Sequence, residues 1–426
     1  HGAFNEMANF NGMADLETPE FMQSKLDEFG GTESYGHYAV GWAWAMDTPY
    51  QWTKQVASHW GGTRNGTIIR YPKAIEEQGG LRHQFSHVID VAPTVLEVAG
   101  IPEPTMVNGV LQSPYEGTSM AYSFNQANAP ERHDIQYFEM FGNRGIYYKG
   151  WSAITKHRTP WVMVGQTMPP FDEDVWELYD GSKDWTQFHN LAAEMPEKLH
   201  ELQRQFLIEA VKYNVLPLDD RQAERIIPEV AGRPTLVKGD SQIFFAGMGR
   251  LSENSVINIK NKSFSITAEI ELNNKPANGV IIAQGGKFGG WSVYAKEGKL
   301  KFAYNVLGIQ EFYAEATDPI PQGKHQVRME FAYDGGGLAK GGNVTLYYDG
   351  QSVGTGRVEA THPMIFSADE TTDIGYESGT PVTPDYSAHT SKFTGKIHWV
   401  QLDVGKDDHD HLISPEERLR VAMARQ

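Results

Sequence analysis

Cysteine is absent from the 426-residue chain, which excludes disulfides, thiolate metal sites and thiol nucleophiles within it and leaves the redox compartment open. No apolar run approaches the roughly 18 residues that a bilayer span requires. The amino terminus lacks the basic, apolar and small-residue succession of a secretory signal. Positive charge is scarce: 37 Lys and Arg stand against 54 Asp and Glu, a formal net charge of -17. That field repels nucleic-acid phosphates and anionic membranes, and no Lys/Arg cluster interrupts it, so neither is expected as a partner. An anionic small substrate would have to be held by short-range positive groups against the global charge. Glycine-rich stretches at 285–290 and 335–342 lack the terminal Gly-Lys-Ser/Thr and the strand-to-helix setting of phosphate loops.

Aromatic residues are plentiful, at 12% with 10 Trp and 20 Phe, which suits sheets packed face to face or a surface that meets sugars. The length predicts two or three domains, because single cores stop growing beyond roughly 250 to 300 residues. Residues 1–235 read as mixed α/β. The spacing predicts a short amphipathic helix over 19–29, a buried strand over 67–71 and a helix over 90–99 closed by Gly100 and followed by Pro102 and Pro104. Short β-rich runs at 135–140, 144–149, 151–156 and 176–179 predict a small antiparallel sheet. A helix over 196–213 follows, with Leu199, Leu202, Phe206, Ile208 and Val211 on its apolar spacing.

Residues 216–234 carry Pro217, Pro228 and Pro234 among charges and read as a linker. Beyond it, strand-sized runs at 264–272, 279–283, 291–295, 299–305, 310–314, 326–333, 343–348 and 394–403 alternate with turn residues, the pattern of an all-β sandwich. Residues 414–425 predict a terminal helix, with Ser414 as its cap, Pro415 in the first turn and Glu417 completing a capping box.

The stretch 48–73 combines Lys54, Gly61-Gly62-Thr63-Arg64 and the apolar run before Tyr71-Pro72-Lys73. It resembles the segment that places the sulfate-binding lysine in type I sulfatases, the arylsulfatase family. The likeness continues through Phe85-Ser-His-Val-Ile-Asp-Val-Ala-Pro-Thr-Val-Leu-Glu-Val-Ala-Gly100. It extends into the order of short strands, Glu177-Leu-Tyr-Asp180, Asp184, Asn190-Leu-Ala and the final helix, so that it covers about residues 1–220. The later half, through Ala283-Gln-Gly-Gly-Lys-Phe-Gly-Gly-Trp-Ser-Val-Tyr294 and Leu346-Tyr-Tyr-Asp-Gly-Gln-Ser-Val-Gly354, resembles the concanavalin-like or laminin-G-like jelly roll appended to some bacterial arylsulfatases.

The resemblance implies an alkaline-phosphatase-like α/β portion over 1–120, the sulfatase C-terminal subdomain and linker over 121–235, a jelly-roll sandwich over 236–405 and a terminal helix over 406–426. It also implies hydrolysis of aryl or carbohydrate sulfate monoesters by a formylglycine nucleophile with calcium. The family makes formylglycine from a Cys/Ser-x-Pro-x-Arg motif, which occurs nowhere in this chain, and its calcium ligands precede the lysine segment. His1-Gly-Ala-Phe-Asn-Glu-Met resembles sequence just beyond those ligands. Nucleophile and most calcium ligands are therefore expected upstream, with no metal ligands within this chain, and an N-terminal sulfatase portion is the expected partner. This stretch alone is expected to be inactive.

Lys54 is the candidate catalytic and substrate-binding residue, with an ordinary exposed lysine as the alternative. His59 is a candidate for the site mouth or for a structural role. The cluster Tyr35, His37, Tyr38, Trp42 and Trp44 is a candidate lining for the leaving group or a packed loop, and His37 and Trp42 are carried as substrate-binding candidates. Arg64 is expected to point into the α/β core beside its glycine pair. His83 and His87 invite a metal reading that lacks the carboxylate pattern of a metalloprotease. The acidic, His-rich residues 403–411 read as a solvated turn. If His1 were a true terminus, copper chelation through its amine and ring is a further expectation. A bacterial sulfatase favours a periplasmic or secreted location, and a homo-oligomer is compatible with the jelly roll. The reading from another class is a non-catalytic carbohydrate-binding or structural protein that uses the sandwich.

Overall fold

The computed structural model describes residues 4–36, 38–160, 168–221, 236–273 and 275–405. Two compact units result, one of residues 40–222 and one that joins 1–39 to 223–426. The expected linker falls largely in 222–235, and the expected terminal helix at 414–425 lies outside the described residues.

In the first unit, a two-stranded ribbon of β1 (Met106–Val107) and β2 (Val110–Leu111) accompanies an antiparallel sheet of β3 (Ile135–Met140), β4 (Asn143–Tyr148), β5 (Trp151–Thr155) and β6 (Trp176–Asp180), ordered β3-β4-β5-β6. Lys149 and Gly150, both at positive φ, form the two-residue turn that β4 and β5 need to keep their twist. Ile146, Ala153 and Leu178 stand opposite one another on one face. They form a core with Leu202, Phe206 and Ala210 of the helix Pro196–Lys212. The buried stripe of that helix runs at intervals of four, as its period requires. Ile208 and Val211, expected on it, are exposed.

Three expectations are corrected in this region. Residues 64–70 are exposed and form no strand. The run Thr67-Ile68-Ile69 has the composition of a central strand, but no described strand pairs with it, and unpaired backbone polar groups cannot be buried. The helix expected over 19–29 is instead Pro19–Ser24 followed by a single 3-10 turn at Leu26–Glu28. Finally, residues 4–36, assigned by sequence to the α/β portion, pack in the other unit: Met7 and Ala8 join its core. There the Asn5 side-chain amide donates to the carbonyls of Phe288 and Leu307 at 2.9 and 2.7 Å.

The second unit is an antiparallel sandwich of β7 (Ser241–Phe244), β8 (Phe264–Leu272), β9 (Gly279–Gly286), β10 (Gly289–Lys296), β11 (Lys299–Val306), β12 (Gln310–Glu315), β13 (Gly323–Tyr333), β14 (Lys340–Tyr348), β15 (Gln351–Ala360), β16 (Thr372–Ile374) and β17 (Lys396–Val404). Hydrogen bonding links them in the order β16-β9-β10-β11-β12-β15-β14-β13-β8-β17-β7. Between β12 and β15 the ladder shrinks to the single pair Ala314↔Gly356, and there the sheet folds into two layers. Glycine is required at that fold, because a Cβ on Gly356 would lie 2.5 Å from the Tyr313 carbonyl. Alternating residues of both layers, among them Ile266, Ile270, Phe302, Met329, Leu346 and Leu402, fill the space between them.

Strands β9 and β10 are buried almost throughout, because their outer face is covered by residues 376–391. Tyr386 donates to the Ser292 hydroxyl at 2.9 Å. Asp385 accepts from Tyr294 at 2.5 Å and pairs with Lys296 and Lys301 at 2.7 and 2.6 Å. Glu377 lies beneath this strap, where its carboxylate accepts the Val382 amide at 3.1 Å. Burial, with the nearby charges of Glu370 and Asp373, pushes its pKa from 4.5 up to about 8.

A carboxyl group that stays protonated in the fold while the unfolded chain ionises costs stability as pH rises from about 4.5 to about 8, and no more above that. Glu377→Gln keeps the acceptor and removes the titration. The variant is expected to gain stability relative to the parent across that window, on the order of a few kcal/mol at its upper end. Denaturant midpoints measured from pH 4 to 9 check this, and parallel curves for the two proteins would refute it.

Candidate functional site

The face of β4–β6 opposite the helix Pro196–Lys212 is polar. Gly145, Ile154 and Glu177 align on it, as do Tyr147, Ser152 and Tyr179. Polar groups removed from water must find partners, and two segments supply them. The segment around Glu131 takes the Tyr147 hydroxyl on its carboxylate at 2.6 Å, and Phe85 stacks on the Tyr147 ring with centroids 3.8 Å apart. The loop 51–60 supplies His59, whose Nε2 lies 3.5 Å from the Glu177 carboxylate that also accepts the Tyr179 hydroxyl. Burial alone would raise the Glu177 pKa, but its hydrogen bonds to His59 and Tyr179 lower it.

Lys54 sits at the tip of this loop. Its neighbours Trp52 and Gln55 both hold left-handed backbone, at φ 66° and 76°, a costly conformation for residues that bear side chains. The strain is held at several points. The Gln55 carbonyl accepts from Asn143 at 3.3 Å, and the Trp60 amide donates to the Gln187 side chain at 2.9 Å. The Gln51 side chain donates to the Gln187 carbonyl at 2.5 Å. Gly61 and Gly62 close the loop: a Cβ on either would come within 2.2 Å of the carbonyl of Trp52 or Val56. The backbone is thereby locked while the Lys54 side chain stays exposed.

His59 is 1% exposed, and its Nδ1 meets the Ser58 hydroxyl at 2.8 Å. It therefore braces the loop from inside and does not line a mouth. Arg64 is exposed and does not enter the core; its guanidinium lies 4.6 Å from the Trp60 ring centroid and 5.3 Å from that of Tyr50, because a delocalised cation gains from an aromatic face without being desolvated. The members of the aromatic cluster fall in both units, Tyr35 and Tyr38 in one and Trp42 and Trp44 in the other. Trp42 and Trp44 are 69% and 63% exposed on the helix Val40–Asp47, which buries none of its residues. Tyr35 stacks on Phe288 in the sandwich unit, and His37 lies outside the described residues.

Two buried pairs, missed by sequence reasoning, fix the edges of the sheet. Asp90 accepts from the backbone amides of His87 and Thr118 and meets His133 Nδ1 at 2.8 Å. His87 is thus the cap of the helical segment starting at Val88, and His83 is exposed. On the other side, Asp174 takes Arg144 at 2.5 Å and His157 Nδ1 at 2.8 Å. The only advance signal was the presence of these residue types at the strand ends, with nothing in the spacing to join them.

Calcium does not fit the described residues. No group of three or more His, Asp or Glu side chains converges among them, and the carboxylate at the Lys54 loop, Glu177, is already engaged by His59 and Tyr179.

One unit is thus a small antiparallel sheet with an exposed lysine on a pinned loop, and the other an antiparallel sandwich. Comparison with known proteins makes the class specific. Residues 52–211 match N-sulphoglucosamine sulphohydrolase, C-terminal, and residues 248–403 match the concanavalin A-like lectin/glucanases superfamily. The chain carries a sulfatase C-terminal domain followed by a concanavalin A-like domain. An uncharacterised sulfatase of Schizosaccharomyces pombe is 28% identical over 210 residues, 49% of this chain and 36% of the relative. A solved protein in complex with its substrate D-glucosamine-2-N,6-O-disulfate is 25% identical over 36% of this chain and 30% of that one, with a TM-score of 0.27. A Ruminococcus gnavus IT-sialidase CBM40 bound to α2,3-sialyllactose is 13% identical over 41% of this chain and 96% of its own, with a TM-score of 0.28. The chain thus spans about a third of the length of the sulfatase relative it matches.

Burial would lower the pKa of His157, but its hydrogen bonds to Asp220 and Asp174 raise it. A histidine with a raised pKa stabilises the fold fully below the unfolded value near 6.5, and that contribution is lost as pH rises through the folded value. Asp174→Asn leaves Arg144 and His157 without their shared carboxylate. It is expected to cost about 3 kcal/mol or more at pH 6 and to flatten the fall in stability above pH 6.5. Denaturant unfolding at pH 6 and pH 8 provides the check, and an unchanged midpoint would show that the pair does not hold the sheet edge.

Proposed function

We propose that this chain is the C-terminal part of a type I sulfatase that hydrolyses aryl or carbohydrate sulfate monoesters, with Lys54 as the group that grips the sulfuryl oxygens. The observation that carries this reading is the Lys54 loop. An exposed ammonium stands on a backbone strained at both flanks and pinned from beneath, within a segment that opens the match to the sulfatase C-terminal family. Sulfate-ester cleavage concentrates negative charge on the sulfuryl oxygens, and a positive group positioned before the reaction stabilises it without reorganisation.

The formylglycine nucleophile and the calcium ligands are proposed to lie in polypeptide N-terminal to this stretch, in a periplasmic or secreted protein. A set of exposed apolar side chains supports an N-terminal partner. Ile68 is 97% exposed, Val88 75% and Val95 56%, apolar side chains that a neighbouring segment would cover.

In the full-length natural protein, Lys54→Ala is expected to lower kcat on an aryl sulfate by roughly a hundredfold or more while leaving the melting temperature unchanged, since the side chain is exposed. The 426-residue chain alone is expected to show no turnover, with or without calcium. Wild-type-like kcat in the variant would remove Lys54 from the site, and robust turnover by the isolated chain would overturn the placement of the nucleophile.

A further inference from the structure

Lys156 follows directly on β5 and continues the polar face that supports the Lys54 loop. Its ammonium lies 4.6 Å from the ring centroid of Trp52, the residue two positions before Lys54 whose backbone is held at φ 66°. Among the described residues its one direct polar contact is a long donation to the Thr159 hydroxyl at 3.4 Å, and no carboxylate lies within ion-pair distance of it. Other half-buried or buried lysines of the chain behave differently: Lys301 lies 2.6 Å from Asp385, and Lys260 is paired with Glu253.

An ammonium withdrawn from water without a counter-charge is disfavoured. In a chain with 54 acidic residues against 37 basic ones, a carboxylate would be readily found for it. Burial already lowers the Lys156 pKa, and only the more distant charge of Glu177 opposes that shift. A cation kept half-covered on an aromatic platform, beside a loop that presents a second cation, has the features of a subsite for an anion brought from outside.

We propose that Lys156 is a specificity residue that contacts a second anionic group of the substrate, a further sulfate or a carboxylate on a saccharide, while Lys54 holds the sulfate being cleaved. This rests on the sulfatase reading above and narrows its substrate class to polyanionic saccharides. The ammonium donates to the second anion without bond making or breaking, so its contribution falls on binding and not on the chemical step.

The test uses the full-length protein with two substrates, an aryl monosulfate and a sulfated saccharide carrying a second sulfate or a carboxylate. Lys156→Met keeps the aliphatic stem over Trp52 and removes the charge. It is expected to raise KM for the polyanionic saccharide about tenfold, with kcat nearly unchanged and the aryl monosulfate affected less than about twofold. Lys156→Arg is expected to restore most of the lost affinity, and Lys156→Gln provides a second uncharged variant should the first fail to fold. Equal effects on both substrates, or none on either, would overturn the subsite while leaving the sulfatase reading intact. Failure of the wild-type protein to hydrolyse either substrate would overturn both.

Discussion

The sheet β3–β6 has to be covered on both faces, and the two faces demand different covers. One is apolar and is met by the stripe Leu202, Phe206 and Ala210, a burial that any helix of suitable period and volume would satisfy. The other carries Glu177 and Tyr179, whose removal from water is tolerable only with specific partners. Those partners come from loop 51–60, through His59 in particular. The non-directional cover supplies stability, whereas the polar cover supplies position. A loop bound by hydrogen bonds of fixed length and direction cannot slide, and Lys54 inherits that fixity although its own side chain makes no buried contact.

The sandwich solves a related problem at its strap. Its inner layers need only alternating apolar side chains, but the outer face of β9–β11 carries Ser292, Tyr294 and Asn305 among small residues. Residues 376–391 satisfy these groups: Tyr386 binds Ser292, Asp385 gathers Tyr294 with two lysines, and the Val382 carbonyl accepts from Asn305. The strap buries Glu377 as a consequence. A carboxyl group under a polar cover is tolerated where an ionised one in an apolar core would not be, and Glu377 thereby joins His157 among the groups through which pH acts on stability.

Much of this architecture is legible in the chain. The sandwich strands from 264 onward follow from alternation and turn residues, and the Asp349-Gly350 turn joins β14 to β15 with both residues at positive φ, as its composition demands. Strand β15 escapes because Gly354 and Gly356 dilute its pattern, yet those glycines are what allow it to approach β12. In the other unit the helix ending at Gly100 and the four short strands are recoverable from local signals. The candidate site is legible only in part. The loop that carries Lys54 is marked by its glycine pair, but the contact of His59 depends on Glu177, which is remote in sequence. The cradle of Lys156 depends on the same kind of contact with Trp52. Pairings between distant polar residues leave no periodicity to read, so a buried histidine and a site histidine look alike until the chain is folded.

The run 67–71 makes the converse point. Its composition is that of a strand buried on both sides, yet residues 67–70 are exposed, Tyr71 is half-buried and the run pairs with no described strand. Neither observation is at odds with the other, because strand composition reflects the side-chain environment that a segment is fitted to, while strand formation requires a hydrogen-bonding neighbour. The same reasoning applies to the valines at 88, 91 and 95, which lie on the turn-and-helix that the buried Asp90–His133 pair locks in place. Apolar side chains on a rigid, hydrogen-bonded support cannot collapse onto one another, so these valines stay exposed while Thr94 on the same helix is buried.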